Sequence, residues 1–261
     1  SGGVTTGRLA RGMVDTASLA ELLARELDHD DGNLRHLPHN IENGKLSALA
    51  VTTTNYATGQ ATTFVEGASL EEWQKPYRIG RKARLTVDHI LASASIPLLF
   101  PAVKLGPSWH GDGAVRQTAP LSPAVHLGAR KILAVSTLRT PAPYRPEPLD
   151  SEYPPPAQIL GVLINSIFLD NIDYDAVNLD RINALQRTDP ASARREGLRR
   201  VDLLVMRPSR DLGQIAGEFE GQLPWAFRYM MRGWGTKETP ASDLLAAVLF
   251  EAAYAKRLIQ I

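Results

Sequence analysis

An aspartate between two glycines is the feature of this 261-residue sequence that best suits catalysis. Asp112 lies between Gly111 and Gly113, with Ala114 next, directly after residues typical of a strand. Glycine lacks a Cβ, so the backbone here can take a positive φ and approach a substrate closely. The carboxylate would then lie at the rim of a sheet and could act as a general base. Asp-Gly alone is more often only a turn.

The segments around this motif predict the elements that would position it. Thr86 can cap a helix whose apolar residues share one face, and Pro97 ends that helix. After the motif, residues 124–127 predict a helix that Gly128 can terminate. The continuous apolar run of residues 132–135 predicts a strand of a parallel sheet covered on both faces.

These residues resemble the patatin-like phospholipase family, in which an A-S-x-x-I-P-x-L-F-P segment precedes a D-G-[GA] motif and a P-[LV]-x-x-A-x-x-L-G-A segment. The three parts correspond, in order, to residues 92–101, 112–114 and 120–129. Looser similarity extends over residues 13 to about 205. The resemblance implies an α/β fold with a three-layer α/β/α arrangement and a largely parallel sheet, here lacking its N-terminal strands, with a C-terminal helical extension.

The resemblance also implies a lipid acyl hydrolase with a Ser-Asp dyad. In the family, the serine of G-x-S-x-G attacks the ester carbonyl, and the aspartate of D-G-[GA] accepts its proton. Asp112 corresponds to that aspartate, and Gly111, Gly113 and Ala114 form the supporting motif. The sequence contains no G-x-S-x-G. The alternative is a noncatalytic lipid-binding or interaction module that has lost the nucleophile.

The serines near glycine or near the motif do not fit the role of nucleophile. Ser1 precedes Gly2 and Gly3, but no strand comes before it to form the strained turn that exposes a nucleophile. Ser93 and Ser95 fall on the helix before the motif, where we expect them to pack or to form hydrogen bonds. We therefore expect this chain to be the C-terminal part of a catalytic domain, inactive alone.

Composition excludes several classes of protein. A net charge of +1 with interspersed charges gives no general attraction to nucleic acid. The absence of cysteine excludes disulfides, thiolate metal sites and cysteine catalysis. The longest strongly apolar run, residues 159–169, is shorter than the roughly 20 residues that span a bilayer. We expect a cytoplasmic or peripheral membrane protein whose partner is a lipid or another acyl ester.

Two histidine arrangements suggest other chemistry. His36 and His39 have H-x-x-H spacing near acidic residues, but Pro38 lies between them and no helix is predicted, so we expect neither a metal nor another cofactor. His110 lies two residues before Asp112, which suggests a Ser-His-Asp triad. Because both would lie on one strand edge, we expect His110 to flank the site.

The predicted organisation is a hydrolase domain over residues 1–210 and a helical extension over residues 211–261 packed on it. Before the motif, the patterns predict a helix over residues 18–27, a polar loop over 28–39, and an antiparallel hairpin of residues 46–54 and 61–65. After it, they predict a helix over residues 157–186, a parallel strand over 201–206 and a helix from Thr239.

Three segments could contact a membrane. Residues 225–234 combine aromatic residues, methionines and two arginines, which either pack against the sheet or lie at a lipid interface. Basic residues cluster at positions 78–84 and 194–200, as solvated loops or as contacts to anionic lipid.

Overall fold

The computed structural model divides the chain into two compact units, residues 1–129 and 130–261. It describes residues 15–27, 29–30, 32–67, 72–97, 99–137, 172–219, 221 and 252–260. Both units contain helices and strands, so the α/β class is confirmed. The domain boundary near residue 210 stays a prediction.

The described part of the first unit contains four helices and eight strands. The helices are α1 (Ala17–Glu26), α2 (His36–Glu42), α3 (Val87–Ser93) and α4 (Ser122–His126). The strands are β1 (His29–Asp30), β2 (Asn33–Leu34), β3 (Ala48–Asn55), β4 (Gln60–Gly67), β5 (Trp73–Lys75), β6 (Arg78–Lys82), β7 (Val103–Leu105) and β8 (Ser108–Asp112). A 3-10 turn, Gly113–Val115, follows β8 directly.

A six-stranded sheet with the order β5-β6-β4-β3-β8-β7 forms the framework of the first unit. Only β4 and β6 run parallel, and the other neighbouring strands are antiparallel. The described part of this sheet is therefore mixed, whereas the sequence led us to expect a largely parallel one. Short links such as residues 56–59 cause the difference, because parallel neighbours need a crossover of a dozen or more residues.

The β3–β4 hairpin confirms the sequence prediction, and β8 pairs with its β3 strand. Its turn is fixed by Asn55, whose Oδ1 accepts hydrogen bonds from the backbone of Ala57 at 2.9 Å and of Thr58 at 3.2 Å. Gly59 closes the turn with a φ of 65°, which glycine adopts without strain. The pairing places Thr53 opposite Thr62, both of them buried.

Helix α3 is held against the sheet by a buried apolar cluster. Leu85 is completely buried and packs with Leu34, Leu37 and Val87, while residues of α1 and the sheet pack around them. The backbone N–H of Leu85 also donates to Glu66 Oε2 at 2.6 Å, which ties the entry of α3 to β4. The helix begins after Thr86, as the sequence predicts.

The predicted polar loop over residues 28–39 is wrong. Strands β1 and β2 form a short antiparallel ladder, and α2 begins at His36. Pro38 is tolerated because it lies in the first helical turn, where its missing N–H would have no intrahelical partner. The helix predicted from residue 18 begins instead at Ala17, whose N–H donates to Asp15 Oδ1 at 2.9 Å.

The described part of the second unit pairs two parallel strands with four helices. The strands are β9 (Lys131–Val135) and β10 (Asp202–Met206). The helices are α5 (Ile172–Thr188), α6 (Pro190–Arg195), α7 (Leu212–Glu218) and α8 (Ala252–Ile259). The predicted parallel pairing is confirmed, and Asn183 of α5 secures it by hydrogen bonds to both the N–H and the C=O of Val201.

Cover on both faces of this sheet stays a prediction. In the described part of the chain, one face of the two strands is open, since Leu133, Val135, Leu204 and Met206 are all more than half exposed.

Several sequence predictions fall outside the described residues. They are the segment of residues 225–234, the first part of the helix expected over residues 157–186, and the start of the helix expected from Thr239. Within the parts of the chain given above, no helix is long and apolar enough to cross a membrane.

Candidate active site

Asp112 is the last residue of β8 and the cap of the 3-10 turn that follows. Its backbone N–H donates to the carbonyl of Ser95 at 2.9 Å, just beyond α3. Its own carbonyl accepts from Thr54 Oγ1 of β3 at 2.7 Å. The segment just after α3 and strand β3 therefore fix the Asp112 backbone on both sides. This sets the position from which the carboxylate side chain extends.

The Asp112 side chain is held by one backbone hydrogen bond. Its Oδ1 accepts from the N–H of Ala114 at 2.8 Å. Burial raises the pKa of the Asp112 carboxyl, and the Ala114 hydrogen bond opposes that rise more weakly. A carboxylate that loses water and gains little compensation is a stronger base than an exposed aspartate. This is the property that a catalytic proton acceptor needs.

The two glycines of the motif are required by close packing and not by positive φ. Neither Gly111 nor Gly113 has a positive φ, so our expectation from the sequence was wrong on this point. A Cβ at Gly111 would overlap the hydroxyl of Tyr56, and one at Gly113 would overlap the backbone carbonyl of Thr52. At this motif, the Tyr56 side chain and the Thr52 backbone therefore lie too close for a side chain at Gly111 or Gly113.

Tyr56 is a site residue that the sequence analysis missed. Its ring lies against Gly111, and the pKa of its phenol is raised by burial and, to a smaller extent, by the negative charge of Asp112. The phenol is therefore close enough to Asp112 to interact with its charge. Only the register of β3 against β8 brings the two together, and no sequence motif gives that register.

Neither serine near the motif offers its hydroxyl to Asp112. Ser93 Oγ donates to the carbonyl of Thr52 at 2.7 Å, and Ser95 Oγ donates to the carbonyl of Leu91 at 2.7 Å. Both hydroxyls serve hydrogen bonding, as expected. Ser95 supports the site instead through its carbonyl, which accepts from the Asp112 backbone.

His110 is buried beside the site and has a different set of partners. Its Nδ1 lies 2.8 Å from Thr53 Oγ1. Its pKa is lowered by burial and then by the positive charges of His89 and Arg81. None of these groups is a hydrogen-bond partner of Asp112 among the described residues. His110 therefore forms no Asp-His pair there, which agrees with a flanking role.

The H-x-x-H pair falls on helix α2. His39 Nε2 lies 2.9 Å from Asn43 Nδ2, one turn further along that helix. Within the residues that the structure describes, no group of three or more histidines and carboxylates could hold a metal ion.

Comparison with known proteins gives one match. The family model for patatin-like phospholipases matches residues 3–125. The matched segment contains the first unit's whole sheet, Asp112 and the glycines beside it. No curated protein and no solved structure matches the chain. Similarity beyond residue 125, expected to about residue 205, stays a prediction.

The two glycines should differ in their tolerance of a side chain. Gly113→Ala should lower the free energy of unfolding by about 1–3 kcal/mol, because the Thr52 carbonyl belongs to the sheet and cannot move away. Gly111→Ala should cost less, because the partly exposed Tyr56 side chain can rotate, and Tyr56→Ala should remove most of that cost. Urea denaturation measures each value.

Gly217→Ala is the matched control, since nothing lies within 4 Å of the position that its Cβ would take. If Gly113→Ala cost no more than Gly217→Ala, the packing account of the motif would be incorrect.

The raised pKa of Asp112 predicts a pH-dependent stability. Below the unfolded-state pKa the group is protonated in both states and has no effect. As pH rises through the folded-state pKa, the buried charge costs stability. Asp112→Asn keeps an acceptor for Ala114 without the charge, so its stability relative to the parent should increase from pH 3.5 to pH 7 in urea denaturation.

Asp189→Asn provides a control of opposite sign. The side chain and backbone of Ser192 lower the pKa of Asp189, so this variant should lose stability relative to the parent as pH rises. A stability loss at pH 7 for Asp112→Asn that exceeds its loss at pH 3.5 would contradict the assignment of a desolvated carboxylate.

Proposed function

Because residues 3–125 match the patatin-like phospholipase family, whose members are lipid acyl hydrolases, we propose that this protein hydrolyses acyl esters of lipids with Asp112 as the base of a Ser-Asp dyad. One observation carries the proposal. Asp112, which corresponds to the aspartate of the family motif, has a carboxyl whose pKa is raised by burial and a backbone fixed by hydrogen bonds to the Ser95 carbonyl and the Thr54 hydroxyl.

The two carboxylate oxygens of Asp112 have different roles in this proposal. Oδ1 accepts from Ala114, which sets the orientation of the group. Oδ2 then accepts the proton of the serine hydroxyl as that oxygen attacks the ester carbonyl. When the tetrahedral intermediate collapses, the protonated carboxyl returns this proton to the leaving alcohol. In the second half-reaction, Asp112 takes a proton from the water that attacks the acyl-serine, and it returns this proton to the serine oxygen as the bond between acyl carbon and serine oxygen breaks and the carboxylic acid leaves.

The raised pKa makes this proton transfer easier. An exposed aspartate, with a pKa near 3.9, is a weak base for a hydroxyl at neutral pH. Desolvation moves the pKa of Asp112 towards that of a more effective base. The Tyr56 phenol beside it is neutral at neutral pH, as an unperturbed phenol already is, and its pKa is raised further.

The nucleophile in this proposal comes from outside these 261 residues. The sequence has no G-x-S-x-G, and the hydroxyls of Ser93 and Ser95 donate to backbone carbonyls. Oxyanion donors, each worth about 3–4 kcal/mol of transition-state stabilisation, would come from the same outside segment. The substrate is a lipid or another acyl ester, met at a membrane surface by peripheral contact and without nucleic acid.

The missing nucleophile motif also favours a second candidate. A chain that keeps the fold and the aspartate but lacks a nucleophile would be a noncatalytic lipid-binding or interaction module. The two candidates differ in one measurable property, since only the first gains esterase activity when a G-x-S-x-G segment is joined to the chain.

We expect the 261-residue chain alone to hydrolyse 4-nitrophenyl esters at the background rate. The physical reason is that Asp112 can accept a proton, but none of the hydrogen bonds of the described residues joins its carboxylate to a serine hydroxyl that could attack the ester. Release of 4-nitrophenolate is followed at 400 nm, about the absorption maximum of that ion, alongside labelling with a fluorophosphonate. Turnover that is blocked by the fluorophosphonate would reveal a nucleophilic serine inside the chain and contradict this prediction.

In the chain extended at its N-terminus through a G-x-S-x-G segment, Asp112→Asn should reduce kcat by about 10²–10⁴, the usual contribution of a general base. The fold should survive, because the amide keeps the Ala114 hydrogen bond. His110→Ala should reduce kcat less than tenfold, roughly, since His110 is bonded to Thr53 and flanks the site. An essential His110 with a dispensable Asp112 would refute the dyad, and an extended chain with no activity would favour the noncatalytic module.

A further inference from the structure

A cavity of about 350 Å³ lies in the first unit, on residues that the proposed hydrolysis does not use. Strands β3, β4 and β6, the start of α3 and the β7–β8 hairpin enclose it. Asp112 does not line it. Its volume is at the lower end of the range of about 300–1,000 Å³ that small-molecule sites occupy.

The floor of the cavity contains a polar group without a partner. Thr62 lines the cavity and is only 2% exposed. Its Oγ1 has no hydrogen-bond partner among the described residues. Burying a hydroxyl without a hydrogen bond costs free energy, so such groups in folded proteins usually face a ligand or an ordered water.

Two histidines line the same cavity, and the bonds they already make define what they offer a ligand. His89 Nδ1 accepts from the backbone N–H of Thr86 at 3.2 Å. A backbone amide can only donate, so the neutral His89 ring carries its proton on Nε2 and offers a donor there. His110 is bonded to Thr53 through Nδ1, which leaves its Nε2 for a ligand.

The charged groups of the lining have a net positive sign. Among the described lining residues, Arg81 and Lys104 are the cations and Asp88 is the only carboxylate. Phe64, Leu105 and Ile79 provide an apolar wall. A ligand that complements this lining carries one negative group and an apolar body.

We propose that this cavity is a second ligand site, which binds a small organic anion with an apolar tail. Arg81 and Lys104 attract the anionic group, Nε2–H of His89 donates to it, and Phe64 contacts the tail. The Thr62 hydroxyl, whose Oγ1 has no accessible surface in the ligand-free protein, reaches the anion by rotation about the Cα–Cβ bond. The site is independent of ester hydrolysis, so a failure of the proposed function leaves it standing.

Isothermal titration calorimetry with the 261-residue chain tests the proposal. Hexanoate and hexyl phosphate are the probes, inorganic phosphate lacks the tail, and hexanol lacks the charge. We expect hexanoate or hexyl phosphate to bind with a Kd at least tenfold lower than that of inorganic phosphate or hexanol. The better of the two probes identifies the anionic group as a carboxylate or a phosphate.

Paired variants separate ligand contact from damage to the fold. Thr62→Val removes the unpaired hydroxyl at nearly constant shape, so it should weaken binding fivefold or more without lowering the melting temperature. Thr63→Val is the control: its hydroxyl bonds Thr52 at 3.0 Å and does not line the cavity, so affinity should stay within twofold. Arg81→Gln should weaken binding about tenfold, against no change for Arg84→Gln, whose side chain lies outside the lining.

His110 provides a spectroscopic readout. Burial lowers its pKa, and His89 and Arg81 lower it further, while Asp88 is the one carboxylate among the lining residues that the structure describes. A bound anion should raise the His110 pKa, which NMR follows through its ring proton. Binding of neither probe at 10 mM, roughly ten thousand times a Kd of about 1 μM, would overturn the proposal. Equal affinities in the Thr62→Val and Thr63→Val variants, or in the Arg81→Gln and Arg84→Gln variants, would do the same.

Discussion

The site depends on a carboxylate that is removed from water and given a single backbone N–H in return. Burial of Asp112 is possible only because the chain on either side of it is fixed, by the Ser95 carbonyl after α3 and by the Thr54 hydroxyl of β3. The close packing at Gly113 belongs to the same requirement, since a Cβ there would overlap the Thr52 carbonyl of β3. A Cβ at Gly111 would instead overlap the Tyr56 side chain, which can rotate. The apolar cluster around Leu85 supports the position of Asp112 indirectly, because it holds α3 against the sheet.

Strand β3 supports two different environments with successive residues. Thr53 bonds the buried ring of His110, which lines the cavity, whereas Thr54 bonds the backbone of Asp112. Neighbouring side chains on a strand point to opposite faces, so one short segment can serve both places. The cavity has a positive lining and the site has a negative group. The positive lining therefore attracts a small anion to the cavity, whereas the negative charge of Asp112 repels one.

The catalytic role of Asp112 stays a prediction. Local patterns in the sequence were sufficient for the β3–β4 hairpin, the start of α3 and the parallel pairing of β9 with β10. Each depends on neighbours in the chain or on a run of apolar residues. What the sequence could not supply is register. The approach of Tyr56 to Gly111, the true reason for the glycines, and the mixed sheet all follow from which strands pair and where. The loop expected over residues 28–39 failed for a different reason, because Pro38 was taken as a helix breaker although it lies in a first turn.

The state of the Asp112 carboxyl is the quantity on which the account rests, and it can be measured directly. Carbon-13 labelling of aspartate side chains, with Asp112→Asn to assign the resonance, gives its pKa from an NMR titration of the folded chain. The account predicts a pKa above that of the exposed aspartates of the same chain, because burial outweighs the Ala114 hydrogen bond. A value at or below about 3.9, the pKa of an unperturbed aspartate, would contradict it.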